Sequence, residues 1–144
     1  MNWNAAATKL EQIAESLGLN ALDYVPDELP NTAIYVGEMD IQPNQAFNKT
    51  REDGTRVGID SATITLRLLV ARSTDKHAIR KMRKYLGGSD ENSLIRAIQA
   101  TNGQPADYPW SGIKVVAMRG NRLFTVGEAK YYGTEIDVFV TGAA

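Results

Sequence analysis

The first amphipathic segment of the chain, Ala5–Leu17, predicts a helix. Its apolar side chains recur at helical spacing, and its charged side chains fall on the other side. Asn4 is placed to act as the N-cap, and Gly18 supplies the residue without a Cβ that commonly ends a helix. Beyond the helix, Pro26 and Pro30 confine the chain to a turn or an extended linker.

Two segments in the first half have the composition or the alternation of β-strands. Thr32–Gly37 is rich in β-branched and aromatic residues. Ser61–Ala71 has the clearest period of two, because its even-numbered positions from 64 to 70 are aliphatic while Thr63, Thr65 and Arg67 alternate with them. Such alternation is typical of an antiparallel sheet with one covered face and one partly polar face.

A polar stretch separates these two strands. Pro43 weakens the strand prediction for Asp40–Phe47. We expect Asn48–Asp60 to be a long mobile connection with a turn at Asp53-Gly54, and connections of that length in a small domain are commonly functional. Charges of alternating sign in this stretch indicate either a contact with another subunit or an arm that refolds, through Lys49, Arg51, Glu52, Asp53 and Arg56.

Two further helices are predicted in the middle of the chain. The second helix begins with Ser73 as its N-cap and ends at Gly87-Gly88. The third helix spans Ser89–Ala100. Each presents three apolar residues to the core, namely Ile79, Met82 and Leu86 in the second helix and Leu94, Ile95 and Ile98 in the third.

The last third of the chain predicts three strands, Ile113–Arg119, Leu123–Gly127 and Thr134–Val140. We expect turns between them at Gly120-Asn121 and Tyr132-Gly133. The order of elements predicts a single domain over residues 1–144 with an α+β fold. Helices would pack on one face of an antiparallel sheet, with a long polar loop or hairpin arm extending from it.

Composition narrows the classes of function. The 144 residues include no cysteine, which excludes disulfides, thiolate metal sites and a cysteine nucleophile. The net charge of −1 gives no global attraction to nucleic acid or to an anionic membrane. Met1–Ala5 has neither the basic nor the apolar character of a signal peptide, and the longest apolar run is far below the ~20 residues of a membrane span. We therefore expect no leader and no membrane partner.

Catalytic chemistry finds little support in the residues. The one histidine, His77, lies among basic residues and is interpreted as a solvated surface residue, and no Gly-x-Ser-x-Gly segment presents a serine to it. The carboxylates lack the spacing of a calcium loop, and the glycines lack the pattern of a phosphate-binding loop. We predict no enzymatic activity, no metal and no cofactor.

The basic side of the second helix is a candidate contact surface. Lys76, Arg80, Arg83 and Lys84 fall on adjoining turns. Such a surface can bind phosphates, but it more commonly is solvated or forms salt bridges with a neighbouring subunit. Arg80 and Arg83 therefore join the charges of the polar stretch as candidate contact residues.

A series of segments, taken in order, resembles a known family. An amphipathic N-terminal helix leads into Asp23–Asp27 (DYVPD), followed by Pro30–Gly37 (PNTAIYVG), Thr63–Arg72 (TITLRLLVAR), Ser93–Ile98 (SLIRAI) and Tyr131–Glu135 (YYGTE). In this order and spacing, spanning nearly the full chain, they resemble the tail terminator (tail-completion) proteins of long-tailed phages of actinobacteria.

The resemblance implies a structural virion protein without bond chemistry. Such proteins form a ring, commonly of six subunits, at the head-proximal end of the tail tube, where the ring halts tube polymerisation and provides the surface that joins tail to head. The implied partners are further copies of the chain, the major tail tube protein and the head–tail connector (neck) proteins, and genomic DNA passes through the lumen without specific binding. The implied location is the virion tail, after assembly in the host cytoplasm.

Two other functions remain open. One is a different neck component, such as a head-completion or stopper protein. The other, of a different class, is a small nucleic-acid-binding domain that uses the second helix. A nucleic-acid-binding domain is distinguished from a neck protein by its affinity for nucleic acid, which would weaken steeply with salt.

Overall fold

The computed structural model describes residues 1–22, 33–42, 49–50, 56–57, 59–72, 76–87, 93–126 and 129–143. The helices in these ranges are α1 (Trp3–Ser16), α2 (Lys76–Leu86) and α3 (Leu94–Gln99). The strands are β1 (Asn20–Leu22), β2 (Ala33–Gln42), β3 (Lys49–Thr50), β4 (Arg56–Val57), β5 (Ile59–Arg72), β6 (Gly112–Val126) and β7 (Ala129–Ala143). No helix in these ranges is long and apolar enough to cross a membrane.

Five of the strands form one sheet in the order β1-β2-β5-β7-β6. β1 and β2 are parallel, and the other neighbouring strands in this sheet are antiparallel. Side chains of α1, α2 and α3 share one hydrophobic core with one face of the sheet. The predicted α+β fold is confirmed, and the parallel β1–β2 pair is its departure from a purely antiparallel sheet.

The core follows the alternation in β5. Ile64, Leu66 and Leu68 are buried beneath the helices, as the sequence pattern predicts, and Ile136 and Val138 lie beside them on β7. Full burial of an aliphatic side chain of this size stabilises a fold by roughly 1.5–3 kcal/mol. The predicted inward residues of α3 are also buried, and they hold that short helix against the sheet: Leu94, Ile95 and Ile98.

The first helix begins earlier than its pattern predicts. Asn2, and not Asn4, is the N-cap, because the Asn2 side chain accepts a hydrogen bond from the Ala5 N–H at 3.0 Å. Trp3 thereby enters the first turn, where it packs against the core. The predicted end is confirmed, since Gly18 follows the helix with φ +84°, a conformation open to glycine.

β2 extends further than predicted. It continues to Gln42, and Asp40, Ile41 and Gln42 pair with β5. The weaker strand prediction for Asp40–Phe47, based on Pro43, was therefore wrong for Asp40, Ile41 and Gln42. A proline lacks its own N–H and does not prevent the residues before it from pairing.

The polar segment Asn48–Asp60 contains a short ribbon. Lys49 pairs with Val57, and Thr50 pairs with Arg56. β5 then begins at Ile59, inside the predicted connection. The predicted turn at Asp53-Gly54 lies outside the described residues, so the described part of this segment is paired strand.

Two long strands take the place of the three predicted at the end of the chain. Gly120-Asn121 lies inside β6, where the register shifts after Arg119, and Tyr132-Gly133 lies inside β7. Both predicted turns are wrong. A register shift accommodates Gly120-Asn121 within β6, and inside β7 Tyr132 and Gly133 pair with Leu123 and Arg122 of β6. The sheet therefore ends in one long hairpin.

The two later helices follow their patterns at most boundaries. α2 ends at Leu86, before Gly87, as predicted, and Ser73 lies outside the described residues. α3 begins later than predicted, because its N-cap is Ser93, whose hydroxyl accepts a hydrogen bond from the Arg96 N–H at 3.2 Å.

Candidate functional site

The sheet face away from α1, α2 and α3, called the open face below, carries a network of charged side chains. The polar positions of β5 lie on it, as predicted, and each pairs with a residue of β7 on the same face. These pairs are Thr63 with Phe139, Thr65 with Asp137 and Arg67 with Glu135. β6 adds Arg119 beside Glu135 and Lys114 beside Phe139.

Glu135 is the centre of this network. It is 4% exposed, and its Oε2 accepts a hydrogen bond from Arg119 Nη2 at 3.0 Å. Arg67 Nε lies 4.0 Å from the same oxygen. Arg119 Nη2 also donates to Asp137 Oδ1 at 2.9 Å, and Thr65 Oγ1 donates to that oxygen at 2.8 Å. The contacts join β5, β6 and β7 across the face.

Aromatic side chains flank the network at one end. The Arg67 guanidinium lies 6.0 Å from the Tyr35 ring centroid and 5.9 Å from that of Phe124. Tyr35 is buried together with Leu69 and Tyr131 in a second, smaller hydrophobic cluster. A carboxylate as buried as Glu135 is stable there only when paired, and these arginines pair it. We interpret this end of the open face as structural.

The other end of the open face is more accessible. Phe139 is 40% exposed, and Lys114 next to it is exposed. A shallow depression of about 400 Å³ lies here at the beginning of β6, and Gln99 and Asn102 line it from the helix side. The Asn102 side chain accepts a hydrogen bond from the Ile113 N–H at 3.0 Å, which fixes the loop after α3 against the strand.

Two stretches of strand have no strand neighbour on one side within the described residues. β6 pairs with β7 alone, and its free side is called the β6 edge. β2 pairs with β1 only along Ala33–Tyr35, which leaves Val36–Gln42, called the β2 edge. Apolar side chains are exposed on both, at 50% for Val116, 49% for Met118 and 38% for Ile41. Free strand edges are sites of chain association unless they are covered or blunted.

The predicted contact residues fall on two elements. Arg80 and Arg83 are exposed on α2, one turn apart and next to exposed Lys84. Met82 and Tyr85 of the same helix are buried, and burial raises the pKa of the Tyr85 hydroxyl.

The remaining predicted residues belong to the polar segment. Lys49 lies on β3 and Arg56 on the facing strand β4, so the structure brings their backbones together in one ribbon. Arg51, Glu52 and Asp53 lie outside the described residues. His77, interpreted from the sequence as a solvated residue, lies in the first turn of α2.

Sequence reasoning missed the charged network. The number of predicted strands indicated that at least one sheet edge must be covered, blunted or used for association, but not which strands form the edges. The network had a signal, because Glu135 and Asp137 alternate along β7 just as Thr65 and Arg67 alternate along β5. The identity of the edge strands had none, because strand order decides which strands lie outermost and the order is not readable from one sequence.

Within the described part of the chain, no group of three His, Asp or Glu side chains is placed to hold a metal ion. Comparison with known proteins gives no assignment, since no protein-family model matches the chain and no curated protein matches it.

Proposed function

We propose that this chain is a tail terminator, a structural subunit that forms a ring at the head-proximal end of a phage tail tube. The observation that carries the proposal is that, among the described residues, two different edges on opposite sides of one sheet have no strand neighbour. A closed ring requires a head-to-tail contact, in which one surface of each subunit binds a different surface of the next. The β6 edge and the β2 edge are such a pair of surfaces.

The order of sequence segments adds independent support. The segments that resemble tail terminators include the first half of β2, most of β5 and the early part of β7, which are the three central strands of the sheet. The segments that carry the resemblance therefore belong to the central sheet of the fold.

The proposed mechanism is steric. A ring that stacks on the last layer of the tube occupies the surface on which further tube subunits would add, and it presents a different surface to the head. The ribbon of β3 and β4 between β2 and β5 is the element we assign to contact with the tube, since it carries Lys49 and Arg56 outside the main sheet. Charged contacts of this kind guide association more than they increase affinity.

The test is an assay of tube growth. Tube protein of the same phage would be polymerised with and without this chain, and tube length and tube ends would be imaged by electron microscopy. We expect shorter tubes with a ring on one end only. Tubes of unchanged length with bare ends would overturn the proposal, and association with the portal rather than the tube would favour another neck component.

The exposed basic side of α2 supports a second candidate function, binding of nucleic acid. Arg80, Arg83 and Lys84 form an exposed strip of positive charge along the helix. That function predicts a shift of labelled duplex DNA at low salt, with a logarithmic salt slope of about 0.9 per phosphate contacted.

A further inference from the structure

The two free edges differ in charge as well as in position. Within β6 there are three basic residues and no acidic one, namely Lys114, Arg119 and Arg122. Within β2 there are two acidic residues and no basic one, Glu38 and Asp40, and both lie on the β2 edge. Asp40 and Lys114 are exposed. Arg119 pairs with Glu135 and Asp137, and Glu38 contacts Arg67. Among the described residues, the exposed charges that distinguish the two edges are therefore Lys114 on the β6 edge and Asp40 on the β2 edge.

This distribution favours one kind of contact between copies. A two-fold contact of the β6 edge with itself would bring basic residues together, and like charges opposite one another on neighbouring strands are destabilising. A head-to-tail contact between the β6 edge and the β2 edge of the next copy brings opposite charges together. Only the head-to-tail contact can close into a ring of more than two copies.

The strand directions also fit. β2, β5, β7 and β6 follow one another in the sheet with each neighbouring pair antiparallel, so β2 and β6 run in opposite directions. A neighbouring copy in the same orientation would therefore place its β2 antiparallel to β6. Beyond Ile113, whose N–H already binds Asn102, the sheet would continue from one copy to the next with antiparallel pairing.

The register identifies the residues that meet. Asp40 pairs with Thr63, Thr63 with Phe139 and Phe139 with Lys114, so Asp40 and Lys114 lie at the same level at opposite edges of the open face. Copies in a ring are related by rotation without a rise. If the strands run along the ring axis, Lys114 of one copy therefore lies beside Asp40 of the next copy.

We infer that ring subunits contact one another through these two edges, with Lys114 of one copy beside Asp40 of the next. The inference rests on the proposed function and specifies its subunit interface. The exposed Ile41 lies one residue beyond Asp40, so the contact brings it to the depression beside Ile113. Because the Ile113 N–H already donates to Asn102, it cannot donate to a strand of the next copy. At Ile113 the contact between copies is therefore made mainly by side chains.

Cysteine cross-linking tests this contact directly, because the chain has no cysteine of its own. Asp40→Cys and Lys114→Cys would be prepared as separate proteins, mixed, assembled into rings and mildly oxidised. Each variant contains a single cysteine, and a disulfide forms only where two Cα atoms come within roughly 7 Å. A cross-link can therefore form only between copies.

We expect covalent dimers from the mixture and none above background from either variant alone. A mixture of Lys114→Cys with Arg83→Cys on α2 is the matched control and should stay monomeric on a denaturing gel. Rings that form normally while the first mixture gives no more dimer than this control would overturn the contact.

Charge reversal provides a second test. Asp40→Lys or Lys114→Asp alone would place like charges together and weaken ring assembly by about 3- to 10-fold in concentration. The double variant D40K/K114D restores opposite charges at each contact, so it should assemble as the unmodified chain does. A double variant no better than the single variants would count against the contact.

The failures of the two proposals are distinguishable. If the unmodified chain forms no ring and caps no tube, the proposed function fails and the interface fails with it. If it forms rings or caps tubes while neither cross-linking nor charge reversal behaves as expected, only the interface fails.

Discussion

The side chain of Glu135 is 5% exposed, and its carboxylate contacts two arginines from two neighbouring strands. Glu38 contacts one of these, Arg67, at the same distance of 4.0 Å, but its side chain is 82% exposed. The two glutamates thus differ in burial and in the additional hydrogen bond that Glu135 accepts from Arg119. Exposed ion pairs contribute little to stability, whereas removing one partner of a buried pair leaves a charge without compensation.

We therefore expect Glu135→Gln to lower the free energy of unfolding by about 1–3 kcal/mol, while Glu38→Gln changes it by about 0.5 kcal/mol or less. Urea denaturation of both variants at neutral pH measures the difference. Equal effects of the two substitutions would show that burial of the network adds no stability.

Tyr85 provides a prediction about pH. Burial raises the pKa of its hydroxyl above the ordinary value of 10.0. Above pH 10 the unfolded chain loses this proton while the folded chain keeps it, so the folded state loses stability as pH rises. We expect unfolding measured at pH 8 and pH 11 to show a smaller decrease for Tyr85→Phe than for the unmodified chain. The same decrease in both would place its cause in other groups.

Single residues were predictable from the sequence where local rules decide their role. The burial of Ile64 and Leu68 follows from the period of two, and the end of α1 at Gly18 follows from the conformational freedom of glycine. The N-cap was mistaken because Asn2 and Asn4 both have the side chain that a cap requires. Packing of Trp3 against the core is a tertiary contact, and it is what distinguishes them.

At the scale of elements, the long hairpin of β6 and β7 brings one glycine into close contact with its neighbour strand. A Cβ on Gly133 would lie 2.4 Å from the Leu68 carbonyl oxygen and 2.4 Å from Leu69 Cδ2. Gly37 on β2 is the natural comparison, because a Cβ there would meet nothing closer than 3.4 Å. A Cβ at Gly133 would clash with the backbone of β5, whereas a Cβ at Gly37 would make ordinary packing contacts.

We expect Gly133→Ala to destabilise the fold by about 1–3 kcal/mol and Gly37→Ala to leave it unchanged or slightly more stable. Thermal and urea denaturation of the two variants test this. A tolerated Gly133→Ala would mean that β5 and β7 are further apart at this point than the structure places them.

The same glycine explains why the last third of the chain was mistaken for three strands. Gly120-Asn121 and Tyr132-Gly133 have the composition of turns, and local propensity alone favours a turn at each. In the sheet, a shift of register absorbs the first pair, and close strand approach requires the glycine of the second. The conformation of the first pair is decided by the pairing of β6 with β7, and that of the second by the pairing of β7 with β5. Neither pairing can be read from the local sequence.

For the molecule as a whole, the fold class could be predicted from the sequence, but the proposed assembly surface could not. The alternation of helical and strand patterns was sufficient for an α+β fold with helices on one face. Sequence drew attention to Arg80 and Arg83, whereas the structure directs attention to Asp40 and Lys114. These two are 74 positions apart along the chain, and only the strand order places them at opposite edges of one face.

The charge separation between the edges has a consequence for assembly. Attraction between exposed charges is screened by salt over about 10 Å at 0.1 M ionic strength. Ring formation through these edges should therefore weaken as salt increases, while the exposed Val116, Met118 and Ile41 provide the part of the contact that persists.

Whether the chain works as a ring is decided by its mass in solution, measured alone and with assembled tail tubes, and by electron microscopy of the same samples. We predict closed rings, either free at high concentration or bound to one end of each tube, and no shift of labelled DNA. A monomer that does not bind tubes at any concentration and that shifts labelled DNA at low salt would exclude a ring-forming terminator.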